Sequence, residues 1–318
     1  MNSAIGIDIG GTKISLGLGL ESGRQVAAFE IPTRTGKKTR RCLNQMLIKA
    51  AELAALARKK NLKLAGIGVC LPGAVNPDQG IIPRSPNLPG WKGIPLKKIL
   101  AQKFRLPVRM ANDANAVAVA EKIFGQAKNL RNFIYITVST GVGSGIFSQG
   151  KLLEGAGFAA GEIGHMTLVP EGNRCRCGKR GCLEAYASGT ALAEFAKAEL
   201  KRGVRSRLTR MLKSGEALAA KTLGKAAREG DSLALSAYEC GGYYLGIGIG
   251  NLLQILNPQK VILGGGVFSS APPVFWKSMM KSIQAHTWPE AFHAVKISRS
   301  KLQGHMGALA LVFHSKTE

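Results

Sequence analysis

One histidine and three cysteines, His165, Cys175, Cys177 and Cys182, fall within the eighteen-residue segment HMTLVPEGNRCRCGKRGC. They can be metal ligands, half of a disulfide framework, or a nucleophile with its base. Six cysteines in 318 residues do not make a disulfide scaffold, and a cysteine nucleophile needs only one thiol. Four nitrogen and sulfur ligands would form a closed tetrahedral zinc site, with no position open for a reacting water. On spacing alone these alternatives stay open.

Three glycine-rich turns each follow a β-type run: DIGGTK at 8–13, STGVGSG at 139–145 and GGG at 264–266. Backbone amides in such turns point outward and bind anions, and only glycine lets the backbone come so close. Two turns with Thr or Ser hydroxyls and a third glycine turn favour a nucleoside triphosphate. The spacing matches neither G-x-x-x-x-G-K-[ST] nor a dinucleotide fingerprint. GIGIG at 246–250 lies in a helical stretch, where we predict close helix packing.

Strands and helices must position these loops. Residues 4–9 and 14–20 are β-rich runs joined by GGTK, which predicts a hairpin. Residues 72–95 are rich in Pro, Gly and Asn and predict a long loop of the kind that often binds ligands. PVRMANDANAVAVAEKIFG predicts a strand followed by a helix capped near Asn112 or Asp113. Strand and helix blocks mix along the chain, so the predicted fold class is α/β.

The composition is strongly basic, with 44 Lys and Arg against 19 Asp and Glu and a net charge of +25. Such a charge attracts nucleic acid and other polyanions. The basic residues are dispersed, however, and no helix-turn-helix or RNA-recognition signature accompanies them. We therefore interpret the charge as a solvated surface and expect no specific nucleic-acid partner.

The sequence has no apolar run near the roughly 18 residues of a membrane span, and its N-terminus lacks the features of a secretory signal. We expect a cytoplasmic protein without a membrane partner, in which the cysteines are thiols. Cys42, Cys70 and Cys240 lie in apolar segments, which predicts buried, inert thiols.

Several separated motifs occur in the order IGIDIGGTKISLGL, NDANAVAVAE, VSTGVGSGI, GEIGH, CRCGKRGCLEAYASG and NPQKVILGGGV. In type and order they resemble the ROK family of sugar kinases and repressors, from about residue 4 to about residue 312. The resemblance implies two ribonuclease-H-like domains of the actin-like ATPase and sugar-kinase superfamily, with ATP and a sugar in the cleft between them. We place one domain at 1–112 with about 300–318 and the other at 113–299, and we expect a homodimer. LQGHMGALAL departs from the family, where Asn or Asp followed by Ala-Gly is common.

The resemblance also assigns roles to individual residues. Asp113 becomes the candidate general base, because a carboxylate at a helix N-terminus is stabilised in the ionised form that accepts a proton. Asp8 would help to place Mg²⁺ on the phosphates. The residues expected to bind the sugar besides Asp113 are Gly73, Asn87, Asn112, Glu162, His165 and Glu184. Those expected to bind the nucleotide are Gly10, Gly11, Thr12, Lys13, Thr140, Gly141 and Gly143 at the phosphates and Gly265 and Gly266 along the adenosine.

With the resemblance, the cluster of one histidine and three cysteines is interpreted as a structural zinc site formed by His165, Cys175, Cys177 and Cys182. Glu162 and Glu184 lie three and two residues from ligands His165 and Cys182. We therefore expect the metal to fix the sugar site, and to matter less for the glycine loops that bind the nucleotide, which we expect to lie far from the cluster.

The leading hypothesis is an ATP-dependent hexokinase that prefers glucose. The short span from His165 to Cys175 and the segment PNLPGWKGIPL at 86–96 resemble bacterial glucokinases of the family. The alternative substrate is N-acetylmannosamine or another amino sugar, although kinases for N-acetylmannosamine often lack the glutamate found here at Glu162. A sugar-responsive repressor is a second class, but such members carry an N-terminal helix-turn-helix domain, and only seven residues precede Asp8. A polyphosphate donor is a third alternative, and kinases of that kind generally lack the cysteine cluster.

Overall fold

A computed structural model describes residues 1–85, 87–302 and 304–314. The chain forms two compact units. The first unit comprises Met1–Arg131, Gly145–Ala160 and the described residues from Ser300 to His314, and the second comprises Asn132–Ser144 and Gly161–Arg299. No described helix is both long enough and apolar enough to cross a membrane.

The strands are β1 Asn2–Ile9, β2 Lys13–Leu20, β3 Gln25–Pro32, β4 Lys63–Leu71, β5 Val108–Asn112, β6 Phe133–Val138, β7 Val142–Ser148, β8 Lys151–Leu152, β9 Lys260–Gly264 and β10 Lys296–Arg299. They form two five-stranded sheets with the orders β3-β2-β1-β4-β5 and β10-β9-β6-β7-β8. The helices are α1 Thr39–Lys59, α2 Leu96–Phe104, α3 Asp113–Ile123, α4 Glu184–Ala187, α5 Gly189–Lys201, α6 Leu208–Lys213, α7 Ala220–Arg228, α8 Ser232–Leu256, α9 Gly266–Ser270, α10 Pro273–Ala285, α11 Pro289–Ala294 and α12 Gly304–His314.

The first sheet contains the hairpin predicted from the sequence. β1 pairs antiparallel with β2, with Ile9 opposite Ile14, and the Gly10 amide donates to the Lys13 carbonyl at 3.0 Å to close the turn. Apolar side chains of both strands are buried with the inner face of α1, including Ile7, Leu16 and Met46. Burial of this face holds the hairpin against the helix, and the glycine turn remains exposed at its end.

Three parallel strands of the first sheet end at the same edge. β1 pairs with β4, which places Asp8 opposite Cys70, and β4 pairs with β5, which places Leu71 opposite Asn112. In parallel α/β sheets, ligands bind beyond the carboxyl ends of the strands. This edge therefore gathers Asp8, Cys70 and Asn112, although Cys70 lies 62 residues from Asp8 in sequence.

Helix α12 packs directly on the first sheet. A Cβ on Gly68 would lie 1.7 Å from the Ala308 carbonyl oxygen, and a Cβ on Gly6 would lie 2.9 Å from the His305 carbonyl oxygen. Glycine is therefore required at both strand positions for this approach. Residues 304–311, from the segment that departs from the family, form most of α12, and Ala308, Leu309 and Ala310 are buried in the core of the first unit.

The limit of the first unit differs from the predicted domain boundary at residue 112. Helix α3 belongs to the first unit because it packs against α12, where a Cβ on Gly307 would lie 3.0 Å from the Ala116 carbonyl carbon. Residues 145–160 also belong to the first unit. A boundary in β7 depends on packing between segments distant in sequence, and no turn or linker marks it.

In the second unit, α8 includes the GIGIG segment, as predicted. A Cβ on Gly246 would lie 2.6 Å from the Met279 carbonyl oxygen, and a Cβ on Gly242 would lie 2.4 Å from the Phe275 carbonyl oxygen. These glycines allow α8 and α10 to pack with their backbones in close contact. The interpretation of GIGIG as a packing surface is confirmed.

Candidate active site and metal cluster

The first unit contains a carboxylate site at the edge where β1, β4 and β5 end. Asp113 is the first residue of α3, and its Oδ1 accepts a hydrogen bond from the Ala114 amide at 2.8 Å. Asn112 is the N-cap, with Oδ1 accepting from the amides of Ala114 at 2.8 Å and Asn115 at 3.3 Å. Its Nδ2 donates to the Gly73 carbonyl at 3.2 Å. The structure thus brings together Gly73, Asn112 and Asp113. The Gly73 carbonyl uses one of the two N–H donors of the Asn112 side chain, so the other is available to a ligand.

Burial raises the pKa of two carboxyl groups in this site. Desolvation raises the pKa of Asp113 and outweighs the opposing hydrogen bond from the Ala114 amide. The expectation that the helix N-terminus favours the ionised form of Asp113 is therefore wrong for the net shift. Desolvation, and then the negative charge of Asp113, raise the pKa of Asp8 to about 6. The Cys70 thiol donates to Asp8 Oδ1 at 3.5 Å and opposes that rise. Burial and both carboxylates raise the pKa of Cys70 well above its usual range, so this thiol stays protonated, as predicted for a buried, inert cysteine.

The first glycine turn is exposed beside this site in the first unit. Gly11, Thr12 and Lys13 are all exposed. A Cβ on Gly11 would lie 3.1 Å from the Asn87 carbonyl oxygen, so Asn87 borders the turn. The Lys13 ammonium is paired with Glu30 at 2.5 Å, and this partner lowers the pKa of Glu30. To contact a phosphate, Lys13 would have to leave Glu30, a requirement that the sequence did not reveal.

In the second unit, the second glycine turn is tied to α5. Ser139 and Thr140 precede Gly141 between β6 and β7, and Gly143 lies within β7. The Gly189 amide donates to the Ser139 carbonyl at 2.8 Å, and the Thr190 hydroxyl donates to the Thr140 carbonyl at 2.9 Å. The start of α5 therefore fixes the position of the turn.

A cavity of about 730 Å³ lies beside this turn, within the size range of small-molecule sites. The second and third glycine turns both line it, through Thr140 and Gly266. Gly265 precedes α9 with a φ of +99°, and a Cβ there would lie 2.3 Å from the Val138 carbonyl oxygen, so only glycine fits. The cavity brings together two turns that the sequence assigned to one nucleotide.

Other residues that line this cavity were not predicted from the sequence; they include Arg176, Thr190, Leu218, Ala219, Lys221 and Arg228. Thr190 directly follows the cysteine motif, in ASGT, and its hydroxyl was a signal that could have been used. The segment from Leu218 to Arg228 carries no motif, because its role depends only on where α7 packs.

The four predicted metal ligands converge in the second unit. The ligand atoms of His165, Cys175, Cys177 and Cys182 all lie within 4.8 Å of one another. Cys175 Sγ is 3.8 Å from His165 Nδ1, and Cys177 Sγ is 3.7 Å from Cys182 Sγ. Tetrahedral zinc with ordinary bond lengths has ligand–ligand separations of roughly 3.5–3.8 Å. The donor set and its spacing therefore fit a zinc ion.

The loop that carries the cysteines is shaped by glycines and backbone hydrogen bonds. Gly178 and Gly181 have φ values of +97° and +74°, and a Cβ on Gly181 would lie 1.8 Å from the Val169 carbonyl oxygen. The Cys175 amide donates to the Lys179 carbonyl at 2.8 Å. Cys175 and Cys182 are buried, whereas Cys177 is exposed.

Both predicted sugar-binding glutamates lie beside this cluster. His165 ends a short 3₁₀ helix, Ile163–His165, and its amide donates to the Glu162 carbonyl at 3.0 Å. Glu184 Oε1 lies 3.9 Å from Cys175 Sγ, and Glu184 Oε2 accepts a hydrogen bond from the Val142 amide at 2.9 Å. Glu184 therefore contacts both the cysteine loop and the second glycine turn. The expectation that the cluster lies far from the nucleotide loops is wrong for this turn.

A second cavity, of about 680 Å³, lies next to the cysteine loop, and Cys240 and Tyr244 of α8 line it. Cys42 and Cys70 are buried as predicted, but the prediction is wrong for Cys240, which is only partly buried. Burial nevertheless raises the pKa of the Cys240 thiol.

Comparisons with known proteins agree with this fold. Residues 4–315 match the ROK family. The chain is 35% identical to a glucokinase of Halalkalibacterium halodurans over 96% of this chain and 92% of that protein. It is 36% identical to the xylose repressor of Bacillus subtilis over 78% of this chain, and it spans 60% of the repressor.

Three solved structures resemble the fold. A ROK family transcriptional regulator, a homologue of the E. coli MLC protein, has a TM-score of 0.86 at 29% identity, over 98% of this chain and 77% of that chain. A ROK family glucokinase from Streptomyces griseus, in complex with glucose and AMPPNP, has a TM-score of 0.80 at 30% identity, over 99% and 100% of the two chains. A putative N-acetylmannosamine kinase from Listeria monocytogenes has a TM-score of 0.76 at 25% identity, over 99% of each chain.

This chain is a member of the ROK family, as the motif resemblance predicted. Its fold is the two-domain α/β fold of the family's sugar kinases and regulators.

Proposed function

We propose that this protein is an ATP-dependent hexose kinase that prefers glucose and forms glucose 6-phosphate. The observation that carries the proposal is the pair of Asp113 and Asp8 at one edge of the first sheet, beside an exposed glycine turn. Asp113 is a partly buried carboxyl group whose pKa is raised by desolvation, and a raised pKa suits a base for a sugar hydroxyl. Similarity to glucokinases over nearly the whole chain supports the same activity.

In the proposed reaction, the sugar hydroxyl oxygen forms a bond to the terminal phosphorus of ATP, and the bond to the bridging oxygen of ADP breaks. The hydroxyl proton passes to Asp113, whose raised pKa strengthens it as an acceptor. Asn112 donates its remaining N–H to the sugar, and its contact with Gly73 fixes the orientation of the amide. Positioning and charge neutralisation account for most of the catalysis in phosphoryl transfer.

Asp8 would hold Mg²⁺ on the nucleotide phosphates. The ion would neutralise phosphate charge, and a divalent cation would also favour the ionised forms of Asp8 and Asp113. The glycine turn at Gly10–Lys13 would bind phosphate through backbone amides and the Thr12 hydroxyl. In the second unit, Thr140, Gly141 and Gly143 would do the same, and Gly265 and Gly266 would lie along the adenosine.

A structural zinc ion at His165, Cys175, Cys177 and Cys182 completes the proposal. Its donor set and spacing leave no open position, so its chemistry is to hold the loop in place. It would fix Glu162 through His165, and Glu184 through the adjoining Cys182, as groups that accept hydrogen bonds from sugar hydroxyls.

Two other functions have specific support. Glu162 and the 86–96 segment favour glucose, but the similarity to a putative N-acetylmannosamine kinase supports an amino sugar as the alternative. The matches to xylose repressors and to a transcriptional regulator support a sugar-binding regulator. One assay distinguishes the glucose kinase, the amino-sugar kinase and the regulator.

A coupled assay of ADP release over a panel of hexoses and N-acetylhexosamines tests the proposal, with Asp113→Asn as the inactive control. Glucose should give the highest kcat/KM. Preference for an N-acetylhexosamine would select the amino-sugar kinase. A protein that binds sugar in calorimetry but releases no ADP with any sugar would contradict kinase activity and favour the regulator.

A further inference from the structure

Arg176 lies between two ligands of the metal cluster, Cys175 and Cys177, and its side chain is exposed. Within the described part of the chain, its guanidinium has no hydrogen-bond or ion-pair partner. Arg180 of the same loop differs, because it donates to the Gly172 carbonyl at 3.2 Å. An arginine with five free donors on a loop shaped by glycines is available for a ligand.

Arg176 lines two neighbouring cavities. It lines the 730 Å³ cavity with Thr140 and Gly266 and also lines the 680 Å³ cavity with Glu184. The arginine therefore borders both the nucleotide loops and the cluster. Arg174, two residues earlier, lines only the smaller cavity.

The charge of the larger cavity favours an anion near Arg176. Lys221 and Arg228 also line it, and Arg228 is held by the Ser270 carbonyl at 3.4 Å. Glu194 is the carboxylate that lines it, and it lies 3.9 Å from the Lys197 ammonium. A guanidinium binds phosphate through two parallel hydrogen bonds and stays ionised at all physiological pH values.

We propose that Arg176 binds a phosphate group of the nucleotide, and that the metal cluster presents it to that phosphate by fixing the backbone on both sides. This inference rests on the proposed function, because it takes the cavity between Thr140 and Gly266 as the nucleotide site. It adds a phosphate contact that lies on neither glycine turn, and it gives the metal a part in nucleotide binding.

Calorimetric titration of the whole protein with a non-hydrolysable ATP analogue, adenosine and glucose tests this proposal. Arg176→Gln should weaken the analogue roughly ten- to hundred-fold, the usual worth of hydrogen bonds to a charged group. Adenosine and glucose should bind as they do to the wild type. Arg176→Lys should recover part of the loss, since it restores the charge without the two-pronged geometry.

Arg174→Gln is the matched control, and it should leave the affinity for the analogue unchanged. Metal analysis of each variant should give the wild-type stoichiometry, because neither arginine is a ligand. The proposal is overturned if Arg176→Gln binds the analogue within two-fold of the wild type. It is also overturned if the adenosine affinity falls equally or if Arg174→Gln has the same effect.

Different results would refute the nucleotide site and the role of Arg176. If the folded wild-type protein binds neither the analogue nor adenosine, the nucleotide site itself is wrong, and the proposed function falls with the inference. If the wild type binds the analogue and Arg176→Gln retains that affinity, only the role of Arg176 is refuted.

Discussion

Glu184 Oε2 accepts a hydrogen bond at 2.9 Å from the backbone amide of Val142, which lies 42 residues earlier in the chain. The other oxygen of this carboxylate lies 3.9 Å from the sulfur of Cys175. One side chain therefore joins the second glycine turn to the cluster of one histidine and three cysteines. A displacement of about 1 Å at a catalytic site can cost a hundred-fold in rate, so we expect loss of this contact to lower activity.

A methyl group on Gly141 should disturb that contact. In Gly141→Ala the Cβ would lie 2.3 Å from Glu184 Oε2, so the carboxylate must move. We expect kcat/KM for glucose to fall at least ten-fold in a steady-state assay. Gly157→Ala is the control, because its Cβ would meet no atom within 4 Å. Wild-type activity in Gly141→Ala would show that the Glu184–Val142 contact does not matter for the reaction.

Replacement of the proposed base should abolish most turnover without abolishing sugar binding. Asp113→Asn keeps the shape of the side chain but removes the proton acceptor, so kcat should fall by roughly 10²–10⁴. Glucose affinity, measured by calorimetry, should stay near the wild-type value. Asp78→Asn, at an exposed loop position of the same unit, should retain full kcat. Retention of more than about a tenth of kcat in Asp113→Asn would mean that another group accepts the proton.

Asp8 should make the ligand-free protein less stable as the pH rises. Burial and Asp113 raise its pKa from 3.8 to about 6, so between those values the folded protein holds a proton that the unfolded chain has released. The free energy of unfolding therefore falls through this interval, by up to about 3 kcal/mol. Asp8→Asn should raise Tm above pH 6, and the gain should vanish near pH 4.

Thermal unfolding at a series of pH values measures this effect, with Asp78→Asn as the comparison. A gain in Tm of the same size at pH 4 and at pH 7 would show that the effect of Asp8→Asn is not electrostatic.

Loss of one metal ligand should remove both the metal and the sugar affinity. Cys177→Ser should no longer bind stoichiometric zinc, and glucose affinity should fall at least ten-fold, because Glu162 and Glu184 would lose their support. Cys240→Ser should keep its metal, since Cys240 lies outside the cluster. Metal analysis and glucose calorimetry on the same folded samples give the result. If zinc-free Cys177→Ser binds glucose normally, the cluster stabilises the fold but does not support the sugar-binding glutamates.

Glu162 should support selection for glucose. We expect a higher kcat/KM for glucose than for N-acetylmannosamine, and Glu162→Gln should weaken glucose phosphorylation by removing a carboxylate that accepts from sugar hydroxyls. Glu171→Gln, at an exposed position of the same unit, serves as the control. A ten-fold reversed preference in the wild type, about 1.4 kcal/mol in transition-state binding, would overturn glucose as the substrate and leave the kinase in place.

The sequence alone determined the local parts of this protein. The hairpin that ends at Ile9 and Ile14, the cap at Asn112 and the helical nature of GIGIG depend on neighbouring residues, because turns, caps and periodicity are short-range properties. The family motifs added the order of the functional segments. The clustering of His165, Cys175, Cys177 and Cys182 was also predicted, since these residues lie within eighteen positions of the chain.

Only the tertiary structure decided which distant groups share a site. Strand register placed the Cys70 thiol beside Asp8. The burial that raises the pKa of Asp8 exists only when other elements pack on the sheet. The packing of α3 on α12 assigned α3 to the first unit, against the predicted boundary. Arg176 and Lys221 reached one cavity through separate elements that carry no common motif. Desolvation and contact across the chain depend on the folded positions of many residues, so no short segment of sequence contains them.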